Sequence, residues 1–271
     1  MERPKGIEVD RRTFLAAVGV GAIGKMSHED RAEELEHYMM HRLEDSVAPH
    51  GDGEASAILD PYEQQQSGPP RGVGNLFRPN GRELEPMPAR PTLEDFFRLR
   101  FAPATHVLQS AQHALDTGQP ESTIIACLLH DVVLDLIKVD HGWWGAQLVE
   151  PYVEEKVSWG IRYHAPLRFY PDDSVGYEYP EMYNRIFGED YVPEPYIREA
   201  YEFARNHRWY MEARMITMND TYGFQEGVQP DLDRFIDIIG RNFRQPREGL
   251  GYDNSPSAHM WRTIANPNRP L

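Results

Sequence analysis

Residues 120–137 read Pro120-Glu121-Ser122-Thr123-Ile124-Ile125-Ala126-Cys127-Leu128-Leu129-His130-Asp131-Val132-Val133-Leu134-Asp135-Leu136-Ile137. Proline at a first-turn position, followed at once by an acidic residue, is a helix start. The run is apolar on nearly every side, which predicts a central helix buried on all its faces. His130-Asp131 in its middle is then costly, because a buried carboxylate needs a cation, a hydrogen-bond network or a metal to offset its lost hydration. A satisfied polar pair inside the core is the plain alternative.

Working outward, Thr92 caps an acidic first turn in Leu93-Glu94-Asp95-Phe96-Phe97-Arg98. A second helix is predicted from about Ala104 to Asp116, stopped by Gly118, and a long one from roughly Glu194 through Met218. The fold class is therefore all-α, a helical bundle. His106 precedes His130 by 24 residues, His141 follows Asp131 by ten, His164 follows His141 by 23, and Asp220 lies 56 further on. Antiparallel helices joined by short turns can bring all six to one end of a bundle. Imidazoles and carboxylates suit iron, manganese or another divalent first-row metal. Cys127, the single cysteine, reads as a small buried apolar residue.

This pattern, His106…His130-Asp131…Asp220, resembles the H…HD…D signature of the HD-domain superfamily, an all-α fold that binds one or two metals. His141-Gly142-Trp143-Trp144-Gly145-Ala146 is similar to an H-x-x-x-G-A helix start found in a subset of it, and Ile161-Arg162-Tyr163-His164 is similar to the segment of the fourth histidine in myo-inositol oxygenase. The resemblance covers about residues 92–240 and extends to the mixed-valent diiron oxygenases, myo-inositol oxygenase and organophosphonate-cleaving enzymes among them. It implies an HD-domain helical bundle with a dinuclear site. One metal would be held by His106, His130, Asp131 and Asp220, the other by His141, His164 and the bridging carboxylate of Asp131. Asp131, His141 and His164 would then be the catalytic group, with two iron ions as cofactor, or alternatively manganese or another divalent metal.

The same resemblance leads to an oxygenase that uses dioxygen to oxidise a small hydroxylated substrate. Leu134 stands where myo-inositol oxygenase has a substrate lysine, which weighs against inositol itself. Phosphonate-cleaving relatives carry a basic residue four positions beyond the last histidine, and Arg168 occupies that offset here. Arg168 is thus a candidate contact for an anionic substrate, with a salt bridge as the alternative. His113, two helical turns after His106, is a candidate on the substrate side of the site, with a supporting or packing role as the alternative. A metal-dependent phosphohydrolase acting on a phosphate ester is the second enzymatic reading. A non-catalytic metal-binding or interaction protein is the third.

Trp143 and Trp144 are expected in the core, with a wall of the site cavity beside His141 as the alternative. The aromatic, proline- and glycine-rich stretch from Arg168 to Tyr196 is read either as a lid or as a solvated loop. His207 is expected to be structural.

The chain has 271 residues, 28 basic and 43 acidic, for a net charge of -15. That surplus argues against a nucleic-acid backbone or an anionic lipid surface as partner. The lone cysteine excludes an intramolecular disulfide framework, and no disulfide-linked partner is expected. Residues 26–60 hold ten acidic residues against two basic ones, and residues 61–91 hold seven prolines and four glycines. Residues 26–91 therefore read as an irregular arm, first acidic and then Pro/Gly-rich, outside the core.

Ahead of it, Asp10-Arg11-Arg12-Thr13-Phe14-Leu15, a glycine-rich apolar run and Lys25 resemble a twin-arginine export signal over residues 1–25. Ala55-Ser56-Ala57 is a distant cleavage candidate. The export machinery and a periplasmic or other extracytoplasmic location follow as expectations, with the cytoplasm otherwise. Residues 241–271 read as an irregular tail anchored by Trp261.

Overall fold

The computed structural model describes residues 6–47, 88, 92–99, 101, 104–134, 137–188 and 192–244. Apart from Pro88, the proline-rich stretch 61–91 lies outside the described residues, as do Ala55-Ser56-Ala57, Asp135-Leu136, Tyr191 and the tail from residue 245 with Trp261. The described chain is all-α. Its helices are α1 (Arg11–Val18), α2 (Val20–Ile23), α3 (His28–Val47), α4 (Leu93–Leu99), α5 (Ala104–Asp116), α6 (Glu121–Leu129), α7 (His141–Val149), α8 (Glu155–Leu167), α9 (Glu181–Phe187), α10 (Pro195–Arg205), α11 (Tyr210–Asp220) and α12 (Ile236–Asn242).

Helices α5, α6, α8 and α11 pack on one another, α7 lies along α8, and α12 closes over α6. Every residue of α6 from Ser122 to Leu129 is buried, and Ile124, Ile125, Leu128 and Leu129 join Val107, Val149, Ile161, Ile216 and Phe235 in the main core. Each such side chain stabilises the fold by about 1.5–3 kcal/mol relative to exposure. Thr92 caps α4 reciprocally: its Oγ1 accepts from Asp95 N at 3.2 Å while its own N–H donates to Asp95 Oδ2 at 2.8 Å. Gly118, at φ +69°, turns the chain after α5.

The central helix is shorter than its apolar run predicts, ending at Leu129 instead of continuing to Ile137. The chain enters turns from Asp131 to Leu134, and the Nδ1–H of His130 donates to Cys127 O at 2.8 Å. Adjacent residues on a continuous helix point about 100° apart, so the break lets His130 and Asp131 face the same centre.

The predicted long helix from Glu194 is likewise two helices, α10 and α11. Asn206 donates from Nδ2 to Glu202 O at 2.8 Å, and His207 Nδ1 accepts from Trp209 N at 3.2 Å, closing a turn between them. His207 also stacks on Trp159 at 4.3 Å, a structural role.

Trp143 and Trp144 are 36% and 46% exposed, on the outer face of α7, not in the core. The inner face has no room for an indole. A Cβ on Gly142 would sit 2.8 Å from Ile161 O, and one on Gly145 3.5 Å from His130 O.

The largest departure concerns the N-terminal region. Residues 28–47, expected within an acidic arm outside the core, form a 20-residue helix that buries Ala32, Leu35, Met39 and Leu43 together with Glu29, Glu33 and Glu34. These apolar residues form a second core with Ile7, Val9, Phe14, Val18, Phe169, Tyr183, Ile186 and Ile197. Arg11 and Arg12 remain exposed, whereas Phe14 is wholly buried. Much of the stretch Arg168–Tyr196 is neither lid nor solvated loop, because Phe169, Tyr177, Tyr183 and Ile186 are buried, three of them as the wall of this second core. Ile7 N donates to Phe224 O at 2.8 Å, tying the N-terminal segment to the loop that follows α11.

Candidate metal centre

The six sequence-selected donors converge at one end of the bundle. α5 supplies His106, the end of α6 supplies His130 and Asp131, the start of α7 supplies His141, α8 supplies His164 and the last residue of α11 is Asp220. All four imidazoles are buried.

Around Asp131 Oδ2 lie His106 Nε2 at 3.5 Å and His130 Nε2 at 3.4 Å. Asp220 Oδ1 completes this group at 2.8 Å from His106 Nε2 and 3.7 Å from His130 Nε2. Around the other oxygen, Asp131 Oδ1, lie His141 Nε2 at 3.2 Å and His164 Nε2 at 3.8 Å. One carboxylate therefore faces two histidine groups, one through each oxygen.

Each imidazole is oriented from behind. His106 Nδ1 meets Gly223 O at 3.0 Å, His130 Nδ1 meets Cys127 O at 2.8 Å, His141 Nδ1 meets Lys138 O at 3.1 Å, and His164 Nδ1 meets Ile161 O at 2.6 Å. A carbonyl can only accept, so each Nδ1 carries the proton and each neutral ring turns an Nε2 lone pair inward. His106 and His130 then face each other Nε2 to Nε2 at 3.4 Å, and His141 and His164 at 3.1 Å. Lone pairs and carboxylate oxygens at these distances repel unless a cation lies among them. Asp131 Oδ1 is buried with no hydrogen-bond partner. The donor set fits one or two divalent metals, and the triads His106, His130, Asp220 and His130, Asp131, His164 each have ligand atoms within 4.8 Å of one another.

Without metal, protons serve as the cations. Burial alone would lower the pKa of His130, but Asp131 and Asp220 beside it raise it to about 9. Burial opposes charge on His141 too, yet Glu33 and Asp131 hold it well above the usual imidazole value. His164 is pushed down to about 3 by burial and by its charged neighbours His141 and His130. Burial would raise Asp131 and Asp220, but the surrounding imidazoles keep both below the usual carboxylate range.

The other sequence candidates fall elsewhere. Arg168 is buried, with Nη2 on Glu33 and Nη1 on Glu36, so it does not present a free guanidinium to an anionic substrate. His113 stacks on Tyr222 at 3.6 Å and meets Asn219 Oδ1 at 2.7 Å through Nδ1. It supports the residue before Asp220 and is not among the converging donors. Cys127 is wholly buried, and burial with the nearby Asp220 pushes its thiol pKa up, away from reactivity.

Sequence reasoning missed Glu33, whose Oε2 lies 2.8 Å from His141 Nδ1. It also missed Gly223. The spacing Ala32, Leu35, Met39, Leu43 carried a signal for α3, since it marks one apolar helix face.

Gly223 leads to a prediction. A Cβ there would lie 2.5 Å from His106 Nδ1 and 2.7 Å from Ser110 Oγ, so Gly223→Ala must displace the His106 ring. We expect a cost of about 1–3 kcal/mol in thermal unfolding and weakened binding at the His106/His130/Asp220 position, read by metal titration. Unchanged binding would show that the loop moves without the ring.

Fold and site thus define an all-α bundle with a buried histidine–carboxylate cluster able to hold metal. No family model matches the chain, and no curated protein matches it.

Proposed function

We propose that this chain is an HD-type dinuclear metal enzyme, and specifically a diiron oxygenase acting on a small hydroxylated substrate. The observation that carries the reading is Asp131, whose two oxygens face separate histidine groups with lone pairs turned inward. A metal pair bound there would supply Lewis acidity and, as iron, the capacity to use dioxygen. The chain's own contribution is to hold four Nε2 atoms in fixed directions, through backbone carbonyls behind each buried ring, and to set Asp131 and Asp220 among them. Commitment of the Arg168 forks to Glu33 and Glu36 favours an uncharged hydroxylated substrate over a phosphate ester. Export by the twin-arginine route remains part of this reading on the exposed Arg11-Arg12 pair alone, since Phe14, Val18 and Ile23 of the run around and after it are packed in the second core.

Metal analysis of the chain purified without added metal tests the proposal. About two irons per chain and a mixed-valent electron paramagnetic resonance signal perturbed by a polyol are the expected result. A single manganese or nickel ion with activity on generic phosphate esters would overturn it in favour of the phosphohydrolase.

Metal loading should also be proton-linked. The carboxylates beside His130 and His141 hold both pKa values up in the metal-free chain. Filling the site should therefore release protons, and apparent affinity should rise with pH. Calorimetric titration in buffers of different ionisation enthalpy measures this. No proton release at pH 7 would contradict it.

A further inference from the structure

We propose that Glu33 on α3 is the positioning residue for His141, and that Arg168 acts through Glu33, so that the N-terminal helix completes the second metal position. The inference rests on the dinuclear reading and adds to it a residue from the part of the chain that composition alone placed outside the domain.

Glu33 is 1% exposed. Its Oε2 lies 2.8 Å from His141 Nδ1 in an ion-pair contact and accepts no hydrogen bond, the Nδ1–H being directed to Lys138 O at 3.1 Å. Its Oε1 pairs with Arg168 Nη2, while Nη1 of the same guanidinium pairs with Glu36. A guanidinium alone with one carboxylate commonly binds both of its oxygens. Here the fork is split between two glutamates, which leaves one oxygen of Glu33 for the imidazole.

The arrangement is specific to one half of the site. The Nδ1 atoms of His106, His130 and His164 meet the backbone carbonyls of Gly223, Cys127 and Ile161, whereas His141 Nδ1 has the Glu33 carboxylate beside it as well as Lys138 O. A carboxylate behind a ligating imidazole fixes the ring and makes its Nε2 a stronger donor. A glutamate that served only to bind Arg168 could sit anywhere along that guanidinium. This one lies where it also reaches the ligand, and Tyr183 Oη donates to Glu36, holding the other arm of the clasp.

The test is anaerobic titration of the metal-free full chain with Mn(II), followed by electron paramagnetic resonance. Wild type should take two Mn(II) with an exchange-coupled spectrum. Glu33→Gln should bind the first Mn(II) with unchanged affinity and the second about 10- to 100-fold more weakly, giving a six-line spectrum at one equivalent and beyond. Glu36→Gln removes a charge from the Arg168 clasp but keeps an amide oxygen to accept from Nη1, so the fork stays split and Glu33 stays beside His141, and it should keep both ions at wild-type affinity.

Far-UV circular dichroism establishes that each variant is folded. Should Glu33→Gln not fold, Glu33→Asp withdraws the carboxylate by one methylene and should show the same selective loss. Two ions bound at wild-type affinity in the folded Glu33 variant would overturn the inference and leave the dinuclear reading standing. So would equal weakening by Glu36→Gln, because the effect would then belong to the clasp in general. Fewer than two ions in wild type would remove the dinuclear reading and the inference with it.

Discussion

Asp131→Asn should empty both metal positions at once while His141→Ala mainly empties one. Asn keeps the shape of the side chain but replaces one oxygen by an amide nitrogen that donates and carries no charge. Asp131 Oδ2 faces His106 and His130 and Oδ1 faces His141 and His164, so neither position retains an anion shared with the other. Contacts behind a ligand are worth about 10- to 100-fold in affinity, and loss of a shared ligand should exceed that at both positions. Metal analysis after dialysis reads the result, and full metal content in Asp131→Asn would refute the ligand assignment.

The same substitution has a pH signature in the metal-free chain. Because the folded carboxylate is held below its usual range by the histidines, its stabilising contribution is present above about pH 4, the unfolded value. It is lost as pH falls through the folded pKa. The difference in unfolding free energy between wild type and Asp131→Asn should therefore be largest near neutrality and shrink in acid.

Arg214→Met should produce the largest loss of stability of any substitution away from the metal centre. Arg214, on α11, is wholly buried against the end of α8. Nε donates to Tyr210 Oη, Nη1 to Leu167 O and Nη2 to Tyr170 O, each at 3.0 Å. The guanidinium also stands 4.8 Å from the Tyr177 ring centroid and 3.7 Å from Asp172 Oδ2. Methionine fills part of the volume but takes the guanidinium's hydrogen bonds from Tyr170 O and Leu167 O and the neighbouring cation from the buried Asp172 carboxylate, which keeps its donors Ser174 and Tyr210.

Breaking a buried ionic network in this way costs about 3–5 kcal/mol, equivalent to a fall of roughly 6–20 °C in the thermal midpoint for a chain of this size. Arg214→Lys should recover only part of this, because an ammonium cannot reproduce the planar fork. Thermal unfolding followed by circular dichroism measures both variants. A shift of less than about 2 °C in Arg214→Met would show that the network is not what holds α8 to α11.

What could be read directly from the residues was local. Pro120 and the apolar run after it announced a buried helix, Thr92 with Asp95 announced a cap, and Ala104 to Asp116 is the helix read from the chain, because propensity, capping and periodicity are set by neighbours within a few positions. The order and spacing of His106, His130, Asp131, His141, His164 and Asp220 likewise selected residues that the bundle gathers together. Their types, imidazole and carboxylate, already defined the chemistry they could support.

Only the tertiary structure decided the rest. Composition treated the acids of α3 as solvated, yet Glu33 and Glu36 meet Arg168 across 135 and 132 residues of sequence, and that pairing turns a candidate substrate contact into an internal clasp. Trp143 and Trp144 face outward because α7 approaches α8 too closely at Gly142 for anything larger. In each case the deciding energy is a desolvation, an ion pair or a steric contact between segments far apart in the chain, and such terms exist only once those segments are packed together.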